Sequence, residues 1–155
     1  MKNILLLGAT GSIGKSVLSV LSENSKKFNL FGISFNKNFS RADEIINKFS
    51  PKYAYIEDID CFNRQCDKNS CHFLSGDKSL EELIRHQDID IIICATSGFA
   101  GLKATYIAAS TGKKILLANK ESIVAGGDLI LPLAKENNTE IMPIDSEHLS
   151  LIHIW

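Results

Sequence analysis

The sequence lacks the features that mark several specialised classes of protein. Its net charge is only -1, so it lacks the excess of basic residues with which nucleic-acid binders displace counterions from phosphates. No apolar run approaches the ~20 residues of a membrane-spanning helix. The apolar run at the amino terminus stops at Gly8, and no small-residue cleavage site of a signal peptide follows it. We therefore expect a cytoplasmic protein that binds neither nucleic acid nor membrane.

Cysteine is also sparse, and its spacing is uninformative. Cys61, Cys66 and Cys71 lie five residues apart, whereas structural zinc sites use pairs separated by two to four residues. Cys94 stands alone in an apolar segment. Since cytoplasmic thiols stay reduced, we expect these cysteines to be structural rather than metal ligands or disulfide partners.

What is present is ordinary for one globular domain: 155 residues, of which 45% are hydrophobic and 23% charged. Short β-rich segments alternate with segments of helical periodicity. The predicted strands are 3–7, 28–35, 53–56, 89–94, 114–118 and 140–144, and the predicted helices are 12–21, 40–49, 79–86, 102–110 and 128–137. For the polar segment 58–69 no element is predicted. Unbroken apolar runs at 91–93 and 115–117 are typical of strands buried on both faces, so we predict an α/β fold with a doubly wound, mostly parallel, Rossmann-like sheet.

The strongest local signal is a glycine-rich turn between the first strand and the first helix. Gly8, Gly11 and Gly14 form G-x-x-G-x-x-G, a spacing variant of the dinucleotide-binding fingerprint. Glycine permits a tight turn, lets a pyrophosphate approach the backbone, and allows close packing of helix on strand. The pyrophosphate then meets free N–H groups at the positive end of the helix.

The same residues permit a second interpretation as a relaxed P-loop, which would end in Gly14-Lys15-Ser16. Lys15 would then bind the β- and γ-phosphates and Ser16 would bind magnesium. Alanine at position 9 departs from the stricter form, which has glycine there. A P-loop also needs an acidic residue at the end of a buried strand, whereas Asp90 begins its strand and Asp145 ends one that Pro143 interrupts. The dinucleotide interpretation is favoured.

The segment after the second predicted strand indicates which dinucleotide is bound. Sites for NAD usually have an acidic residue there, which accepts hydrogen bonds from the ribose 2′-hydroxyl. Here residues 36–41 include Lys37 and Arg41 and no acid. Two cations suit a 2′-phosphate, so NADPH is predicted. The Tyr-x-x-x-Lys pair of short-chain dehydrogenases is missing, because Tyr53, Tyr55 and Tyr106 have no lysine four residues on.

Two further motifs follow predicted strands, at the edge where open α/β sheets bind ligands. They are Leu-Ala-Asn-Lys-Glu-Ser at 117–122 and Asp-Ser-Glu-His at 145–148. Asp145 and Glu147 are two residues apart, so an extended backbone points both carboxylates to one side. Hard oxygen ligands of this kind suit Mg²⁺ or Mn²⁺, although full coordination needs further ligands.

Together with the glycine turn, and in this order, these motifs resemble the 1-deoxy-D-xylulose 5-phosphate reductoisomerase family of non-mevalonate isoprenoid biosynthesis. The resemblance covers residues 1–148, the family's NADPH-binding domain. It implies an NADPH-dependent oxidoreductase that converts 1-deoxy-D-xylulose 5-phosphate, a sugar phosphate, into 2-C-methyl-D-erythritol 4-phosphate with a divalent metal. The residues that it implies as NADPH contacts are Thr10, Gly11, Ser12, Ile13, Lys37, Asn38, Asn119 and Glu121. It implies Lys120, Ser146 and Glu147 as substrate contacts, and Asp145 and Glu147 as metal ligands.

The resemblance also raises expectations about the rest of the protein. Family members continue into a catalytic domain and a C-terminal domain and form homodimers, whereas residues 149–155 do not follow the family's continuation. We expect a fragment or an unrelated tail, inactive by itself. Alternatives are another NADP-dependent oxidoreductase and a non-catalytic NADPH-binding module, although the latter would not need Lys120, Asp145 and Glu147.

Overall fold

The computed structural model describes residues 1–63 and 71–144. Within these residues, seven strands form one parallel sheet in the order β4-β3-β2-β1-β5-β6-β7. The strands are β1 (Lys2–Leu7), β2 (Phe28–Phe35), β3 (Tyr53–Ile56), β4 (His72–Leu74), β5 (Ile91–Cys94), β6 (Lys114–Leu117) and β7 (Glu140–Pro143). The helices are α1 (Ser12–Glu23), α2 (Phe39–Phe49), α3 (Ile59–Asn63), α4 (Asp77–Arg85), α5 (Gly98–Ala109) and α6 (Lys120–Glu136). None of these helices combines the length and apolar character that a bilayer span requires.

The sheet is covered on both faces, as the unbroken apolar runs predict. In β1, Ile4 and Leu6 belong to the hydrophobic cluster that includes residues of α1 and α2. Leu5 and Leu7 point the other way, into the cluster that includes residues of α4 and α5. Successive side chains of a strand alternate between faces, so an apolar run in a strand contributes side chains to both hydrophobic clusters. The predicted doubly wound α/β fold is confirmed.

Strand β1 lies at the point where the order of the strands reverses. Leu7 is in register with Ser34 of β2 on one side and with Cys94 of β5 on the other. The chain builds the sheet outward from β1 to β4 and then returns to add β5 to β7 on the opposite side. Ligands of open α/β sheets bind outside the carboxyl ends of the strands at this reversal, which places the glycine turn after β1 at the expected site.

The amino edge of the sheet carries a polar network that involves Asp90. The Asp90 carboxylate accepts a hydrogen bond of 2.7 Å from the backbone N–H of Asn3, whose side-chain amide donates to the carbonyl of Asp88. Asp90 therefore lies at the edge opposite the glycine turn. It cannot serve as the magnesium-binding acid of a P-loop formed by that turn.

The starts of two predicted helices were wrong by four residues or more. Helix α6 begins at Lys120 rather than at 128 and continues past Gly126, Gly127 and the exposed Pro132. These residues weaken a helix in isolation, but packing of its buried face against α5 overrides their low propensity. Helix α5 begins at Gly98 instead of 102. Two short elements, α3 and β4, were not predicted because three to five residues carry too little periodic signal.

Candidate functional site

A groove runs along the carboxyl ends of the central strands. It consists of two cavities of about 360 and 230 Å³, which share Ala95, Thr96 and Ser97 in their walls. The smaller cavity lies over β1 and β2 and is also lined by Gly8, Thr10, Gly11, Ser34, Phe35, Asn36, Glu57 and Ala100. The larger lies over β5 and β6 and is also lined by Ile13, Ala118, Asn119, Lys120, Glu121 and Ile144. Most of the residues predicted to bind the cofactor thus line one groove.

Gly8 forms the bend of the glycine turn, and no other residue type fits there. Its φ of +85° lies in the region that L side chains rarely adopt. A Cβ at this position would also lie 2.7 Å from the carbonyl of Ala95. The backbone N–H groups of Gly8 and Ala9 both donate to the carbonyl of Ser34, which anchors the turn to β2. The turn is therefore held rigidly between β2 and the end of β5.

The other two glycines of the fingerprint meet different surroundings. A Cβ at Gly14 would lie 2.5 Å from the carbonyl oxygen of Ala9, so this glycine allows α1 to pack directly on the turn. A Cβ at Gly11 would meet nothing closer than 3.5 Å, at the carbonyl oxygen of Gly8. The protein itself therefore leaves space beside Gly11. This is the position at which the fingerprint lets a pyrophosphate approach the backbone.

Three helices begin at the groove. Helix α1 begins at Ser12 with Gly11 as its N-cap, and α5 begins at Gly98 with Ser97 as its N-cap, neither with a side-chain cap. Helix α6 begins at Lys120. The amino end of a helix carries a partial positive charge and unpaired N–H groups, so this edge of the sheet suits an anionic ligand.

Asn119 connects two of these helix ends. Its side-chain oxygen accepts from the backbone N–H of Ser122 at 3.3 Å and so caps α6, while its amide nitrogen donates to the carbonyl of Thr96 at 2.8 Å. The residue is only 7% exposed, yet it lines the larger cavity. Its side chain is thus already oriented by the protein, with one N–H left for a ligand.

Glu121 makes a second connection between α5 and α6. Its carboxylate accepts from the backbone N–H of Gly98 at 3.3 Å, at the positive end of α5. Lys120 precedes it in the first turn of α6, is exposed, and lines the same cavity. A cation and an anion therefore stand next to each other at the wall of the larger cavity.

The cations predicted to bind a 2′-phosphate each have an acidic neighbour, and the one beside Lys37 is distant in the sequence. The Lys37 ammonium lies 3.5 Å from the Asp58 carboxylate, and the Arg41 guanidinium lies 2.5 Å from Glu44. Lys37 is nonetheless 74% exposed at its side chain. Asn38 caps α2, because its side-chain oxygen accepts from the Arg41 N–H at 3.1 Å. Lys37 and Asn38 follow β2 but line neither cavity of the groove.

The P-loop interpretation finds little support in the positions of its residues. Lys15 lines a separate cavity of about 270 Å³ between α1 and α2, together with Arg41 and Lys48. The Ser16 hydroxyl donates to the carbonyl of Ser12, one turn earlier, at 3.4 Å. Neither residue lines the groove, which favours the dinucleotide interpretation.

The described cysteines lie away from the walls of the groove. Cys71 and Cys94 are buried free thiols, and Cys61 is half-buried. Burial raises the pKa of the Cys94 thiol to about 12 and that of Cys71 to about 11. Both thiols are therefore protonated at neutral pH and make poor nucleophiles. Cys66 lies outside the described residues.

The residues predicted to bind the metal also lie outside the described part of the chain. These are Asp145 and Glu147, and the predicted substrate contact Ser146 lies between them in the sequence. They directly follow Ile144, which lines the larger cavity and whose backbone N–H donates to the carbonyl of Leu117. Among residues 1–63 and 71–144, no three His, Cys, Asp or Glu side chains come together as a metal site.

The prediction from sequence missed the segment shared by both cavities. Ala95, Thr96 and Ser97 follow β5, and Glu57 follows β3. Every strand of a parallel sheet ends at the binding edge, so the position of these residues directly after predicted strands indicates that they lie near the ligand. Their side chains form no recognisable motif, so the sequence gives no other sign of this role.

Comparison with known proteins identifies the family. The sequence profile of 1-deoxy-D-xylulose 5-phosphate reductoisomerase matches residues 4–127. The curated reductoisomerase of Ruthia magnifica subsp. Calyptogena magnifica is 42% identical over 153 residues, which are 97% of this chain and 40% of that protein. The chain thus spans about 40% of the length of this relative.

Solved structures of the same enzyme share the fold. A crystal structure of DOX-P reductoisomerase in complex with NADPH, fosmidomycin and magnesium superimposes with a TM-score of 0.87 at 34% identity, over 96% of this chain and 37% of that one. The enzyme from Zymomonas mobilis in complex with NADPH also superimposes with a TM-score of 0.87, at 33% identity, over 95% and 39% of the two chains. These findings confirm the resemblance predicted from the motifs. This chain belongs to the 1-deoxy-D-xylulose 5-phosphate reductoisomerase family.

Proposed function

We propose that this chain forms the NADPH-binding part of a reductoisomerase that converts 1-deoxy-D-xylulose 5-phosphate into 2-C-methyl-D-erythritol 4-phosphate. The observation that carries the proposal is the position of the glycine turn. It lies at the reversal of strand order, and its groove leads directly to Asn119, Lys120 and Glu121. Membership of the family supplies the identity of the reaction.

In this proposal the dinucleotide crosses the groove with its adenosine half at β2 and its nicotinamide half at β6. The space beside Gly11, at the start of α1, would receive the pyrophosphate. The adenosine half would lie over β2, and Lys37 and Arg41, which follow β2, would bind its 2′-phosphate. The nicotinamide half would then enter the larger cavity between Ile13 and Asn119. In this arrangement Thr10, Ser12, Asn38 and Glu121 complete the predicted set of cofactor contacts.

The described residues would bind and orient, while the hydride that reduces the substrate comes from the cofactor. Lys120, at the start of α6, is placed to attract the phosphate or hydroxyl groups of a sugar phosphate next to the nicotinamide. Its neighbour Glu121 is held by Gly98, which keeps the first turn of α6 in a fixed position. This would hold Lys120 beside the bound cofactor, which is one part of the orientation that the reaction requires.

A divalent cation completes the proposal. Asp145 and Glu147 follow Ile144, which lines the larger cavity, by one and three residues in the sequence, and they would supply two hard oxygen ligands. Ser146 and Glu147 would also contact substrate. When bound, Mg²⁺ or Mn²⁺ would polarise the substrate's carbonyl and hold its oxygens in place. Residues 1–148 would constitute the NADPH-binding domain, and we propose that the complete protein is a cytoplasmic homodimer.

The cofactor assignment can be tested by titrating the protein with NADPH, NADH and ATP at equal ionic strength, with fluorescence as the readout. We expect NADPH to bind most tightly. Lys37→Ala should weaken NADPH binding and leave NADH binding nearly unchanged, because only NADPH carries the 2′-phosphate. Lys26→Ala is the matched control, since Lys26 is an exposed lysine at the amino end of β2. Equal affinity for NADPH and NADH would contradict the NADPH site, and tighter binding of ATP would favour a P-loop.

A further inference from the structure

Gly101 of α5 is buried, and the atoms nearest to the position of its missing Cβ belong to Thr96 and Asn119, which line the larger cavity. A Cβ at this position would lie 3.0 Å from the carbonyl carbon of Thr96 and closer still to its oxygen and to the side-chain nitrogen of Asn119. Ordinary contacts of a Cβ with such atoms are longer than 3.4 Å. The space that a side chain would need is therefore occupied by the hydrogen bond between Asn119 and Thr96.

That hydrogen bond determines the shape of the cavity wall. Thr96 and Asn119 come from different strand ends, and both line the larger cavity. The Asn119 amide donates to Thr96 with one end and caps α6 with the other, so its position is coupled to the start of α6, where Lys120 and Glu121 lie. Moving the Thr96 carbonyl would thus shift the amide and the two charged residues together.

We propose that Gly101 is a positioning residue for the nicotinamide half of the cofactor. It contributes no group to the ligand. Its missing side chain allows α5 to approach closely enough for the Thr96 carbonyl to receive the Asn119 amide and so fix the wall of the cavity. This inference rests on the proposed function, because it assumes that the larger cavity receives the nicotinamide.

Gly126 of α6 also lies close to other atoms, but these belong to a side chain that can move. A Cβ at Gly126 of α6 would be opposed at 2.6 Å by the end of the Leu102 side chain, which can rotate away. At Gly101 the opposing atoms belong to the backbone of Thr96 and to an amide with two hydrogen bonds, and neither can move without disturbing the wall. Gly126→Ala is therefore the matched control for Gly101→Ala.

The test compares two ligands by calorimetric titration: NADPH, and 2′-phospho-ADP-ribose, which lacks only the nicotinamide. We expect Gly101→Ala to weaken NADPH binding at least tenfold and to change binding of 2′-phospho-ADP-ribose less than twofold. Gly126→Ala should leave both affinities within twofold of the unsubstituted protein. In NMR spectra, Gly101→Ala should also remove the hydrogen-bonded signal of the Asn119 side-chain amide.

A second variant covers the case in which Gly101→Ala does not fold. Asn119→Ala removes the amide for which Gly101 makes room and also a predicted cofactor contact, so by itself it should weaken NADPH binding. Gly101→Ala added to Asn119→Ala should weaken NADPH binding less than twofold further, because the hydrogen bond that it would disturb is already absent. Unchanged NADPH affinity in folded Gly101→Ala, equal weakening of both ligands by it, or a further tenfold loss in the double variant would overturn the positioning role. Failure of the unsubstituted protein to bind NADPH would instead overturn the proposed function itself.

Discussion

The Lys37 ammonium and the Asp58 carboxylate lie 3.5 Å apart, although they follow different strands. Asp58 is held in place because its second oxygen accepts from the Cys61 N–H at 2.8 Å and so caps α3. The cation proposed to bind the 2′-phosphate therefore has a fixed anion beside it. A bound phosphate would share Lys37 with this carboxylate and experience its repulsion.

Replacing this anion should strengthen binding of NADPH. Asp58→Asn keeps an oxygen to cap α3 but removes the negative charge, so we expect NADPH affinity to rise about two- to fivefold at moderate salt, as for an exposed ion pair. NADH affinity should change less, because it lacks the 2′-phosphate. Titrations of both cofactors measure the effect, with Glu82→Gln on α4 as the control. Weaker NADPH binding in Asp58→Asn would mean that Asp58 orients Lys37 rather than competing for it.

Two glycines of the turn should respond differently to alanine. Gly14→Ala should reduce the free energy of unfolding by about 1–3 kcal/mol, because its Cβ would overlap the carbonyl oxygens of Ala9 and Gly8. Gly11→Ala meets no such overlap, and its φ of -78° suits alanine, so stability should change by less than about 1 kcal/mol. Its methyl group would nonetheless occupy the approach of the pyrophosphate, and NADPH affinity should fall at least tenfold.

Urea unfolding and NADPH titration of both variants test this contrast. Gly127→Ala in α6 is a suitable control, since its Cβ would meet nothing closer than 3.5 Å. As an interior helix position it should gain up to about 1 kcal/mol of stability. A Gly11→Ala variant that binds NADPH normally would show that the pyrophosphate does not pass this residue.

Alkaline pH should destabilise the fold. Burial raises the pKa of Cys94 from 9.0 to about 12, and burial, with Glu57 and Asp77 nearby, raises that of Tyr55 from 10.0 to about 12. At a pH between the unfolded and the folded pKa of a group, the unfolded chain has lost a proton that the folded chain retains. The free energy of unfolding therefore falls as pH rises through the window from 9 to 12. Each group contributes a slope of at most about 1.4 kcal/mol per pH unit.

Urea unfolding at pH 8 and pH 10.5 measures the slope. Cys94→Ala should lower stability at pH 8, because it removes a buried side-chain atom, but its loss of stability between the two pH values should be smaller than that of the unsubstituted protein. Equal losses in both proteins would show that the Cys94 thiol does not contribute to the alkaline transition.

These 155 residues should bind NADPH without turning over substrate. Two predicted carboxylate ligands leave most positions of a hard cation to water, and the described groove is open to solvent, so reacting groups are not held or shielded. Orientation alone can lower a barrier by about 7–11 kcal/mol. The assay follows NADPH oxidation at 340 nm with substrate and Mn²⁺, with a complete reductoisomerase of the family as the positive control. Robust turnover by the 155 residues would show that the site is already complete.

Local patterns predicted the parts of the molecule that depend on local physics. The glycine turn could be read from the sequence because Gly8 and Gly14 meet steric requirements within one strand–turn–helix unit. The buried strands could be read because both faces of a parallel sheet demand apolar residues. The start of α6 could also have been predicted, since Asn119 is an N-cap residue and Glu121 is an acidic residue in the first turn. It was placed too late because Gly126 and Gly127 have low helix propensity.

Other parts of the site depend on residues that are distant in the sequence. Asp58 reaches Lys37 across 21 positions, and Asn119 reaches Thr96 across 23. Neither pair has a spacing that a helix or strand would indicate, because the sheet order brings them together. The environment of Gly101 is of the same kind. From the sequence alone, Gly101 cannot be distinguished from other small residues of its helix.

The central position of β1 has a consequence for synthesis on the ribosome. Ile4 pairs with Ile91, so β1 must wait for a partner that is made 87 residues later. At about 5–20 residues per second, one edge of β1 stays unpaired for about 4–17 s. Ile4, Leu5, Leu6 and Leu7 are nearly completely buried in the finished fold, so during this interval the nascent chain lacks part of the packing that covers these four apolar side chains. A chaperone acting at the ribosome exit would find its binding segment here.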